Sequence, residues 1–166
     1  LAPLVEEPWK FLLVAVCFLA GACRGRKEVL QLGLIAGFGY GVGEIWYLAR
    51  VLPRTPQFEP GHPFWYYSGF MSERIAVAFV HALLTGIVAD AIYQRRFVRG
   101  ALIAMAYHYL LNIPAMLFQD GWVTGSLASV LILGMFIVIF RHFQRIEARF
   151  IASRAREISA ESAVNA

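Results

Sequence analysis

Charge is what this sequence is short of: Asp, Glu, Lys and Arg make up 16% of its 166 residues, against 59% hydrophobic. A soluble domain of that length carries about a quarter of its residues charged to cover its surface. A soluble fold is therefore excluded, and the mean hydropathy of +0.60 points to a membrane protein. Cysteine is almost as scarce: Cys17 and Cys23 make neither a disulfide framework nor a CxxC metal knuckle. None of Ser68, Ser72, Ser126 and Ser129 lies in a G-x-S-x-G turn, and H-E-x-x-H is missing, so neither the serine-hydrolase elbow nor the soluble zinc-protease helix is available. Acidic residues are outnumbered, leaving a net charge of +4. The bases, however, sit in short runs between apolar segments, as in cytoplasmic loops, and no nucleic-acid partner is expected. Position 1 is Leu rather than Met, so the natural start is expected upstream, with one or more earlier spans.

What the sequence does have is long apolar runs. Five can be drawn near the 20 residues a spanning helix needs: about Ala2–Cys23, Glu28–Arg50, Phe70–Tyr93, a fourth ending about Phe118, and Val123–Phe140. An all-α, polytopic helix bundle is expected over residues 1–140. The tail, residues 141–166, has Arg141, Arg145, Arg149, Arg154 and Arg156 beside Phe143, Ile146 and Phe150, and reads as an amphipathic cytoplasmic helix on the membrane surface. Residues 51–69 form a loop with four prolines and the cluster Phe64-Trp65-Tyr66-Tyr67, read as an interfacial aromatic belt rather than a lid. Gly33, Gly37, Gly39, Gly41 and Gly43 stud the second run. Two readings stand: tight helix packing, or room beside Glu44 for a substrate or metal. The basic runs Arg24–Lys27 and Arg95–Arg99, with the tail, put those ends in the cytoplasm by the positive-inside rule. A multi-pass protein of the plasma (inner) membrane follows, bathed in the lipid bilayer.

Ionisable groups inside such spans cost roughly 2.5–3.5 kcal/mol each on insertion scales, so they mark pairs, wet cavities or chemistry. At about 1.5 Å per helical residue, Glu6, Glu7, Glu44, His81, His108 and Asn112 all come out in the outer half of the bilayer. His108 and Asn112 share a helix face at i, i+4. Two imidazoles can offer nitrogens to a metal, with a carboxylate as third ligand or as base for a bound water. The plainer reading of Glu6 with Lys10 is an ion pair at a helix end. Glu73 and Arg74 are read as an interfacial anchor or a pair supporting the site. Asp90, His62 and His142 are expected at or beyond the membrane edge, solvated.

The segment Ala2-Pro3-Leu4-Val5-Glu6-Glu7-Pro8-Trp9-Lys10 resembles the EExxK motif of the PrsW family of intramembrane proteases, relatives of the CAAX-prenyl-protease (CPBP/ABI) group. Gly39 through Glu44 is similar to that family's GF-x-x-x-E segment, with Tyr40 in place of Phe. Arg74 through His81-Ala82-Leu83 resembles its R…HAL stretch, and His108 through Asn112 its closing H-x-x-x-N/D. The resemblance covers about Ala2 to Pro114. It implies a metal-dependent endopeptidase, with zinc as the expected ion, cutting membrane-anchored protein substrates. It implies Glu6 as general base with Glu7 as partner, and Glu44, His81 and His108 at the metal. Asn112 would orient a ligand or donate to an oxyanion, and Lys10 and Arg74 would support from behind. Two other classes compete: a non-catalytic helical subunit that keeps polar groups for helix association, and a zinc-dependent lipid amidase. Transport is weaker, since no inverted repeat is visible.

Overall fold

A computed structural model describes residues 2–51 and 68–164. They form five helices: α1 (Ala2–Leu19), α2 (Arg26–Val51), α3 (Ser68–Tyr93), α4 (Phe97–Gln119) and α5 (Gly125–Val164). Four of them, α2 to α5, are long and apolar enough to cross a membrane. The protein is a membrane-embedded helical bundle. α1 is held below that standard by Glu6, Glu7 and Lys10 within its 18 residues. It nonetheless turns Leu4, Val5, Trp9, Leu12, Leu13, Val16 and Leu19 outward and Glu7 and Lys10 inward, the arrangement a fifth lipid-facing helix needs. Pro8 lies inside α1 rather than at its first turn. Its missing N–H leaves the Leu4 carbonyl without a helical donor, and the helix continues past it.

The helix ends follow from local chemistry. Glu28 accepts hydrogen bonds from the backbone N–H groups of Arg24 (2.8 Å) and Gly25 (3.2 Å), closing the start of α2. Thr124 Oγ1 accepts from the Leu127 N–H at 3.3 Å and opens α5. α1 and α4 end in the same paired pattern, Gly21 to Phe18 with Ala22 to Cys17, and Gly121 to Phe118 with Trp122 to Leu117. The glycines there take φ of +73° and +76°, a conformation that costs glycine nothing. Arg95 fills the equivalent place after α3, at φ 57°.

α3 is the hub. It touches α1, α2, α4 and α5, and every residue from His81 to Asp90 is buried, as expected of a helix enclosed on all sides. α2 lies closest against it. A Cβ on Gly37 would stand 2.2 Å from the His81 carbonyl oxygen, and one on Gly41 2.4 Å from Ala78 Cα, whereas Gly39 and Gly43 face open space. Tight packing thus accounts for Gly33, Gly37 and Gly41, and by bringing the backbones together it also sets Glu44 beside His81.

At one end of the bundle Arg26 of α2 pairs with Asp90 of α3, Nη2 to Oδ1 at 2.6 Å. The expectation of a solvated Asp90 is corrected: it is 5% exposed and also accepts from Gln94. Depth along one helix did not reveal that a basic residue from the next span would cover it. His142 is half-buried, its Nδ1 3.0 Å from the Tyr107 hydroxyl, and so is not freely solvated either. The expected boundary at residue 140 falls inside α5, which runs on uninterrupted to Val164 because no Gly or Pro follows Gly134 before that point. The proline-rich loop, its aromatic cluster and His62 lie outside the described residues.

Gly37→Ala is expected to lower the stability of the purified protein by about 1–3 kcal/mol, the cost of overpacking a close contact. Gly39→Ala is expected to be neutral or to gain up to about 1 kcal/mol from helix propensity. Thermal unfolding in detergent distinguishes the two, and equal effects would contradict the α2–α3 contact.

Candidate metal centre

The interior at mid-bundle is polar and the outside apolar, the reverse of a soluble domain. Glu7 (0% exposed), His81 (1%), Lys10 (3%) and His108 (6%) are buried together, drawn from α1, α3 and α4. In lipid such groups persist only when each answers another.

Lys10 is the centre of the pairing. Its ammonium donates to Glu7 Oε1, one helical turn away, and its Nζ lies 2.9 Å from His81 Nδ1. The expected Glu6–Lys10 pair is therefore a Glu7–Lys10 pair, because the i, i+3 neighbour points inward while Glu6 sits at the edge, half-buried. Glu7 Oε1 also meets His108 Nδ1 at 2.6 Å. The carboxylate accepts there, so Nδ1 carries the proton and His108 Nε2 keeps its lone pair. That nitrogen faces Glu6 Oε2 at 3.9 Å. From the other side, His81 Nε2 lies 2.9 Å from Glu44 Oε2, and Glu44 Oε1 accepts from Arg74 Nη1 at 3.4 Å. Arg74 in turn donates to Glu73 at 2.5 Å.

The two imidazoles meet edge to face with centroids 5.2 Å apart. One nitrogen of each, with a carboxylate oxygen of Glu6, all lie within 4.8 Å of one another. Two imidazoles and a carboxylate form a donor set that suits a divalent transition metal. Glu7 Oε2, buried and without a partner among the described residues, is a further acceptor turned into the same interior. The residues fit an ion.

Of the residues expected at the site, the structure brings together Glu6, Glu7, Lys10, Glu44, Arg74, His81 and His108. Asn112 lies one turn beyond His108 on α4, half-buried and outside that hydrogen-bonded set. Tyr40, which in the sequence stands out only as a replacement for Phe, joins the cluster. Its ring lies under Lys10 Nζ at 5.0 Å and edge-on to His81 at 5.4 Å. The signal was available, since Tyr40 stands at i, i+4 to Glu44 on the face that carries the glycines.

Residues 59–133 match the model of the YhfC intramembrane metalloprotease family. That stretch takes in α3, α4 and the start of α5, and so Arg74, His81, His108 and Asn112; Glu6, Glu7, Lys10 and Glu44 fall before it. The match, over less than half of the chain, supports a membrane metalloprotease role without singling out PrsW or CPBP. No curated protein and no solved structure matches the chain.

Removing the cation from the centre tests the pairing directly. Lys10→Met leaves Glu7 buried without its ammonium, and a loss of about 3–5 kcal/mol is expected. Glu7→Gln combined with Lys10→Met removes both charges and should recover much of that loss. If the double variant unfolds at the same denaturant or temperature as Lys10→Met, the two residues are not coupled.

Proposed function

We propose that this protein is an intramembrane metal-dependent endopeptidase acting on membrane-anchored proteins. The observation that carries the reading is the convergence of Glu6, His81 and His108, from three separate helices, inside the apolar part of the bundle. The family match over the two histidine-bearing helices supports it. The motifs shared with PrsW and the CAAX-protease group support the same mechanism.

His81, His108 and one carboxylate would hold the ion, and zinc is the metal such donors suit. When bound, a divalent ion of this kind supplies Lewis acidity and lowers the pKa of water toward neutrality. The chain's own residues do the rest. Glu7 fixes the tautomer and ring orientation of His108 through Nδ1–H, as carboxylates behind metal-bound histidines do. Lys10 answers the charge of Glu7 and steadies His81. Two carboxylates then remain on the open side, Glu6 and Glu44. The resemblance makes Glu6 the base and Glu44 the ligand. The distances favour the exchange: Glu6 is within 4.8 Å of both imidazoles, whereas Glu44 contacts His81 and is held by Arg74. In this reading Glu44 takes the proton of the attacking water and returns it to the leaving amine. Asn112, one turn from His108, donates its amide to the carbonyl oxygen as negative charge develops. The basic end, with Arg24–Lys27, Arg95–Arg99 and the α5 tail, faces the cytoplasm of a plasma-membrane protein, which sets the catalytic cluster toward the outer half of the bilayer.

The test is metal content and cleavage measured together on the detergent-purified chain. Wild type should carry about one equivalent of divalent metal, and His81→Ala and His108→Ala should lose it along with cleavage of a single-span reporter. Glu6→Gln should lose metal, whereas Glu44→Gln should keep it and still lose at least about a hundredfold in rate, the usual worth of a general base. The opposite pattern restores Glu6 as base. A wild-type protein without stoichiometric metal would reduce the cluster to polar helix packing and end the peptidase reading.

A further inference from the structure

Lys10 has two glutamates available on its own helix. Glu6 precedes it by four residues and Glu7 by three, and both spacings bring a carboxylate within reach of the ammonium. Which of them it takes matters to the centre. A carboxylate oxygen of Glu6 lies within 4.8 Å of one nitrogen each of His81 and His108. An ammonium drawn to that oxygen would set a positive charge where the ion is proposed to sit. Lys10 pairs with Glu7 instead.

Tyr40 of α2 distinguishes the two positions. In the observed arrangement Lys10 Nζ stands over the Tyr40 ring, 5.0 Å from its centre, while Glu7 and His81 take two other sides of the nitrogen. The same ring lies 5.4 Å from the His81 imidazole, at 68° to it. Lys10 is 3% exposed, so water contributes little to its solvation, and a cation over an aromatic face gains most when it is desolvated. One turn further along α2, Glu44 meets the other nitrogen of His81. α2 thus holds His81 at Nε2 and steers the lysine that contacts Nδ1.

We propose that Tyr40 is a positioning residue, whose ring face keeps the Lys10 ammonium on Glu7 and so leaves the Glu6 carboxylate free for the metal. The consequence for the metal rests on the peptidase reading; the pairing of Tyr40 with Lys10 does not. With an aliphatic side chain at position 40 the ammonium loses the ring, and Glu6 then rivals Glu7 as its partner. Lysine and ion compete for one carboxylate. The hydroxyl takes no part, so a phenylalanine ring serves equally.

The full chain in detergent is titrated with zinc against a chromophoric chelator, and the metal-free protein is melted in parallel. Tyr40→Leu should weaken zinc binding roughly tenfold, in the range found for contacts behind metal-bound histidines, and should lower the melting temperature. Tyr40→Phe should match wild type in both. The deciding comparison is made in the chain carrying Glu7→Gln with Lys10→Met. No ammonium is left there to steer, and the amide at position 7 can still accept from His108 Nδ1. In that background Tyr40→Leu should leave zinc binding unchanged and lower the melting temperature less than it does in wild type. Equal weakening of zinc binding in both backgrounds would overturn the proposal and leave Tyr40 a packing role against His81. So would a Tyr40→Phe variant that behaves like Tyr40→Leu, since the effect would then belong to the hydroxyl. Should wild type bind no stoichiometric zinc, the peptidase reading fails, and the metal-free melts still decide the pairing: equal losses in the two backgrounds overturn it, and a smaller loss without Lys10 upholds it.

Discussion

The Lys10 ammonium stands between Glu7 and His81, and each of the other buried groups is placed by way of that contact. A carboxylate buried alone among apolar helices is costly enough to be replaced or neutralised. Paired with Lys10, Glu7 can stay at the centre of the bundle and present its oxygen to His108. Through His81 the same ammonium reaches Glu44, and through Glu44 the chain of contacts ends at Arg74 and Glu73. Helices α1, α2, α3 and α4 are thereby tied by one continuous polar path inside a structure whose exterior is Leu, Val, Ile, Phe and Trp. Hydrogen bonds between membrane helices are individually modest, about 0.6 kcal/mol on average. Their value here lies in fixing rotation, since any turn of α1 about its axis would send Glu7 and Lys10 into lipid.

Close backbone approach supplies the other half of the arrangement. Nothing in lipid drives two apolar faces together, so helices there associate through contact surface. The glycine face of α2 allows it to lie on α3 with no side chain between, and the Glu44 carboxylate then falls at the height of His81. A wider spacing would put Glu44 out of hydrogen-bonding range. The same residues therefore serve packing and chemistry.

Much of this was legible in the sequence. The spans follow from apolar runs, and Glu6, Glu7, Glu44, His81 and His108 stood out as costly residues at matching depth. What did not show was the pairing. Glu6 and Lys10 share a helix face by spacing, yet Glu7 is the partner, because rotation of α1 is decided by His81 and His108 on distant helices. Asp90 looked like a membrane-edge residue, and only the meeting of α2 with α3 brings Arg26 over it. The tail looked like a separate element because charge returns at Arg141. A helix, however, ends at a breaker or a cap rather than at a change in polarity, and α5 meets neither before Val164.

The charged face of α1 also bears on how the chain reaches its membrane. Three ionisable residues within 18 make α1 a poor candidate for insertion on its own, each costing roughly 2.5–3.5 kcal/mol near a helix centre. The partners that relieve this cost, His81 and His108, are synthesised some 70 and 100 residues later. α3, the most apolar of the spans, finds the partner of its buried Asp90, Arg26, earlier in the chain. The contacts that satisfy the charged face of α1 can therefore form only once α3 and α4 are present.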